Sequence, residues 1–214
     1  YTLWHLVESR ATSLELLDRY ETNPPTCEWD RCTLAFSNYV LGNTHRRLID
    51  AEPENATQHA DTARRLLRVA EEQCTELARE VHESYEGIAR TCWGGIMEAE
   101  VLLGTRDARS AIAEINDGLN DVIDLSSIES GDVLESYGWW CIFGCNISIR
   151  HLTDERDLHR TMALFTNKAD EIANQLDNWS MRERGFTLQH AGHQRFVGWT
   201  GQPIPMTIDS EDIR

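Results

Sequence analysis

The chain has 214 residues, enough for one domain that buries roughly two-thirds of its unfolded surface. Its 36 acidic residues against 20 basic ones give a formal net charge of −16, a surface that repels nucleic-acid phosphates and anionic lipid. The apolar run Tyr137–Cys145 is far shorter than the ~20 residues a bilayer span needs, so neither nucleic-acid binding nor membrane insertion is expected.

In chain order, the spacing of Leu3, Val7, Leu14 and Leu17 predicts a first helix from about Thr2 to Glu21, ended by Asn23-Pro24-Pro25. Thr26 is the expected cap of a second helix, whose Trp29, Phe36, Tyr39, Val40 and Leu48 form a broad apolar side ending before Pro53. Asn55 with Gln58 reads as a capping box for a third, in which Ala63, Leu66, Leu67, Ala70, Cys74, Leu77 and Val81 make an unbroken stripe. A fourth helix, about Tyr85 to Leu103, carries Trp93, Gly94 and Gly95 and stops at Gly104; a fifth covers about Asp107 to Leu125.

Asp132 with Glu135 reads as the capping box of a sixth helix that contains Tyr-Gly-Trp-Trp-Cys-Ile-Phe-Gly-Cys and runs to about Leu152. This helix is apolar nearly all round, so others must cover it on several sides, and it is expected at the centre of the fold. Asp154 begins a seventh helix, with Leu158, Met162, Phe165, Ala169, Ile172 and Leu176 in phase, and Ser180 with Glu183 caps a short eighth. No stretch alternates like a strand. The expectation is an all-α domain of about eight helices over residues 1–200, followed by an extended acidic tail over 201–214. Short loops pair the second helix with the third, the fourth with the fifth and the sixth with the seventh, antiparallel.

Trp140, Phe143, Gly144 and Ile147 fall at the spacing of the W-x2-L-G-x2-Y signature. Trp93 with Ala111, Ile115, Gly118 and Leu119, and later Phe165 with Ala169, echo the pattern. Residues 85–178 therefore resemble degenerate tetratricopeptide-like repeats, with Met97 and Glu100 standing where that family has a small residue and an aromatic. The resemblance implies a surface that holds a peptide or partner protein, without catalysis or cofactor.

Chemistry-bearing residues offer alternatives. Glu114, Asp117, Asp121 and Asp124 line one side of the fifth helix, and Glu80 and Glu83 could face them. Two acidic helices of this kind hold Mg²⁺ in all-helical pyrophosphohydrolases and prenyl-transfer enzymes. The opposite side carries Ile112, Ile115, Leu119 and Val122, which turns the acids toward water instead. His190 and His193, one turn apart, could share a metal with a third ligand such as His159 or a cysteine. Cys141 and Cys145 share a helix side but sit among aromatics, which reads as core thiols. None of the six cysteines forms a C-x-x-C pair, as expected of free thiols in a reducing cytoplasm. The N-x-[ST] sequons at Asn55, Asn146 and Asn178 read as chance occurrences, since Asn146 lies within the apolar helix.

Strong acidity with Lys168 as the only lysine is the composition of proteins from salt-loving microorganisms or their viruses. The expected function is a protein-interaction or structural module working in high salt. Its partner would be a protein or peptide with exposed Arg or an apolar segment. A homo-oligomer or a larger assembly, such as a virion or cell-surface layer, is the further alternative.

Overall fold

A computed structural model of the chain describes residues 3–120 and 128–176. These residues form seven α-helices: α1 Leu3–Thr22, α2 Glu28–Ala51, α3 Ala56–Glu80, α4 Ser84–Leu102, α5 Ala108–Asn120, α6 Gly131–His151 and α7 Glu155–Leu176. No strand occurs among them, and the all-α expectation holds. The expected eighth helix and extended tail fall on residues outside those described.

Local chemistry accounts for the ends. Gly104, at φ +69°, takes the left-handed conformation that closes α4. Asp154 Oδ1 accepts from the Asp157 N–H at 2.9 Å, and Asp107 Oδ2 from the Ser110 N–H at 2.8 Å, so each aspartate caps the helix that follows it. Three other starts differ from the expected caps. Cys27, not Thr26, precedes α2, and its side chain makes no capping bond. Asn55 closes a 3-10 turn, Pro53–Asn55, and does not cap α3 through its side chain. For α6 the cap is Ser130, whose Oγ accepts from the Val133 N–H at 3.5 Å. Asp132 sits in the first turn, favourable for the helix dipole, and Glu135 accepts the Trp139 indole N–H instead of closing a capping box.

The helices pack in series: α1 on α2, α2 on α3, α3 on α4, α4 on α6 and α6 on α7. The expected partnership of the fourth and fifth helices is corrected here, because α5 lies mainly on α6 and touches α4 only slightly. The reason is visible at the α4–α6 crossing. A Cβ on Gly94 would overlap the Phe143 ring, so the glycine lets α6 take the place beside α4. Trp93 and Trp140 meet there with ring centroids 4.4 Å apart and planes tilted by 42°, and Trp140 Nε1–H donates to the Arg90 carbonyl at 2.6 Å. Gly144 plays the same part toward α7, where a Cβ would overlap Phe165.

The main core surrounds α6, whose Tyr137, Trp140, Ile142, Phe143 and Ile147 are all buried together with Phe165, Leu158 and Ile172 of α7. The other end is thinner. There α2, α3 and α4 meet through small clusters, Ala35, Cys74, Leu77 and Ala89 in one and Leu67, Ala70, Cys92 and Ile96 in the other.

Candidate interaction face

Of the carboxylates expected to flank a metal, the four among the described residues are each engaged or turned outward. Glu80 ends α3 and pairs with Arg31 at 2.8 Å. Glu83 belongs not to α3 but to the turn that opens α4, and it is exposed. Glu114 is chelated by Arg106 at 2.7 and 2.8 Å, and Asp117 points to solvent beside it. Ala111, Ile115 and Leu119 fill the buried side of α5, so the amphipathic wheel decides the orientation of the acids. Among the described residues no three His, Cys, Asp or Glu side chains come together as a metal would require. Asp121, Asp124, His190 and His193 lie outside the described residues, and His159 is half-buried on α7. Cys141 and Cys145 are buried in the main core, where burial pushes the Cys141 thiol up to about 12 and the Cys145 thiol well above its ordinary value.

Two ionic networks were not anticipated. Glu98, in the apolar middle of α4, is 2 % exposed and bridges two guanidiniums: Arg46 of α2 at 2.9 Å and Arg150 of α6 at 2.6 Å. Arg150 continues to Asp50 at 2.8 Å, and the Arg46 guanidinium lies 4.8 Å from the centre of the Phe143 ring. Burial opposes ionisation of Glu98, yet the two Arg charges and their hydrogen bonds outweigh it and hold the carboxyl below its usual range. Glu100 is likewise held by Arg68 of α3 and by Arg106 at 2.9 Å. The departure of Glu100 from the repeat pattern was the available signal. A charged side chain at a core position of an apolar helix announces cations opposite it.

The open surface is uneven. Leu14, Val69 and Leu164 are exposed singly, as surface apolar residues commonly are. On α2, however, Trp29 is 78 % exposed and Phe36 is 53 % exposed. They stand seven positions apart, two helical turns, with half-buried Val40 continuing the line. The opposite side of α2 is used for packing, through Ala35, Asn38, which bonds Gln73 of α3 at 3.1 Å, and Leu41. The sequence had counted Trp29 and Phe36 toward a broad apolar side of the second helix; the structure divides that side into a packed part and an open strip. Glu28 and Asp30 flank the indole and leave the strip's N-terminal end acidic.

The chain matches no protein-family model, and it has no significant match among curated proteins or solved structures.

Proposed function

We propose that the chain is a non-catalytic protein-interaction or structural module of paired helices, working in high salt, with the Trp29–Phe36 strip of α2 as its contact face. The observation that carries this reading is the exposure of two large aromatic side chains on one helical line. Large aromatics supply most of the energy at protein contacts, and a solvated indole of this size has no role in the fold. Glu28 and Asp30 beside Trp29 favour a partner segment that offers apolar side chains together with arginine. Gly144 of α6 receives Phe165 of α7, a close helix pair of the kind the tetratricopeptide-like spacing implies, while α4 and α5 touch only slightly. Glu80 and Glu114, on which the alternative Mg²⁺-dependent enzyme reading rests, pair with Arg31 and Arg106.

The test is a peptide-display selection against the full chain in molar KCl, repeated with a Trp29→Ser/Phe36→Ser variant. The proposal expects enriched segments rich in apolar residues and Arg, with binding weakened at least about tenfold by the double substitution, a loss of ~1.4 kcal/mol. Segments that bind both proteins alike, or no enrichment against either, would contradict it.

A further inference from the structure

His45 of α2 and His59 of α3 meet ring to ring, with Nδ1 to Nδ1 at 3.0 Å and ring centroids 5.1 Å apart. The far nitrogen of His59, Nε2, lies 2.9 Å from Glu52 Oε2 in the corner that joins the two helices. Both imidazoles are buried, at 7 % and 5 % exposed, while the Glu52 side chain is 37 % exposed. The three groups form a relay with one end in water and the other in the protein interior.

The partners set the hydrogens. Glu52 is an acceptor, so His59 carries a hydrogen on Nε2. At 3.0 Å only one hydrogen fits between the facing Nδ1 atoms. With both rings neutral, His45 Nδ1–H donates to His59 Nδ1. One proton added to the pair still leaves a single hydrogen between the facing nitrogens, donated by the charged ring to the neutral one, and the contact survives that step. A second added proton leaves a hydrogen on each facing nitrogen, two buried donors with no acceptor between them.

We propose that the Glu52–His59–His45 relay is an acid-operated latch on the α2–α3 corner, closed while a single hydrogen lies between the imidazoles and opened by the second added proton. The charged groups around His45 work in the same sense. Burial, then Arg10 of α1, His59 and Arg65 of α3 lower its proton affinity, against Glu52, which raises it, and the balance falls to about 4. Opening strains the corner itself, where the Glu52 N–H donates to the Leu48 carbonyl at 2.8 Å and the Asn55 N–H to the Glu52 carbonyl at 2.9 Å. The latch is independent of the Trp29–Phe36 strip and stands or falls without it.

The test is amide hydrogen exchange of the full chain in molar KCl, corrected for intrinsic rates, from neutral pH to just below pH 4. Residues 48–60 are expected to lose protection at least about tenfold more than α6 and α7 do. In His59→Gln the carboxamide oxygen accepts from His45 in either protonation state, so this differential loss is expected to vanish. Should that variant fail to fold, ring ¹⁵N spectra of the wild-type protein decide. The latch requires both rings to reach the imidazolium form together with corner opening. Parallel loss of protection in both regions, or two imidazolium rings with the corner still protected, would overturn it.

Discussion

Glu98 shows how one side chain can tie three helices together. Its carboxylate is held by Arg46 from α2 and Arg150 from α6, and removing it strands a buried Arg46 guanidinium. Glu98→Leu is therefore expected to cost about 3–5 kcal/mol in denaturant unfolding, although leucine suits the apolar surroundings. Asp50→Asn, at the 65 % exposed end of the same chain of ion pairs, is expected to cost under about 1 kcal/mol. A larger effect at Asp50 than at Glu98 would mean that the buried pair is not what joins the helices. His45 gives the pH dependence. Its pKa falls from 6.5 in the unfolded chain to about 4 in the fold, so between those values the unfolded state binds the proton and the fold resists it. The contribution of His45 to stability is thus complete above about pH 6.5 and declines by about 3 kcal/mol as the pH drops toward 4. Glu52 and Glu98, both held below the usual carboxylate range, add losses further down. Urea midpoints measured from neutral pH downward are expected to follow this slope, and His45→Gln is expected to flatten it between pH 6.5 and 4.

At the level of elements, glycine decides which helices are neighbours. Gly94→Ala would drive a methyl group into Phe143, and Gly144→Ala into Phe165, each in a filled core. Each is expected to cost about 1–3 kcal/mol by overpacking, read as a lowered denaturant midpoint with an unchanged m-value. Helix existence was legible in the sequence because periodicity reports burial directly: the Ala63–Leu67–Ala70–Cys74–Leu77 line of α3 is buried as expected, and α6 is apolar all round because helices cover it. Helix starts were less legible, since several polar residues competed for each. Asp132 lost the α6 cap to Ser130, while Asp154 kept the α7 cap, its carboxylate accepting from the Asp157 N–H. Neighbour choice was legible only in part. Loop length favours the next helix in line, and the fit of Phe143 against Gly94 overrode it to set α6 beside α4. The candidate face was half visible: Trp29 and Phe36 stood out as apolar, but only packing shows which apolar residues of α2 remain uncovered.

The whole molecule joins a well-filled core around α6 to a thinner α2–α4 end, where buried ion pairs and paired histidines stand in for large apolar side chains. That end also carries the open aromatic strip, so the region least supported by apolar packing is the one that presents the face. With a net charge of −16, self-repulsion is screened only when the Debye length becomes short. Raising KCl from about 0.1 M to about 1 M, which shortens it from about 10 Å to about 3 Å, is expected to raise Tm. A Tm that falls over this range would count against the high-salt reading. The most direct test of the central claim measures stability and binding on the same pair of proteins, wild type and Trp29→Ser/Phe36→Ser, titrated with the tightest display-selected peptide. Because both side chains are more than half exposed, unfolding free energy is expected to change by less than about 0.5 kcal/mol per site while affinity falls at least about tenfold. Equal affinity for the two proteins, with stability unchanged, would show that the strip on α2 is not a contact face.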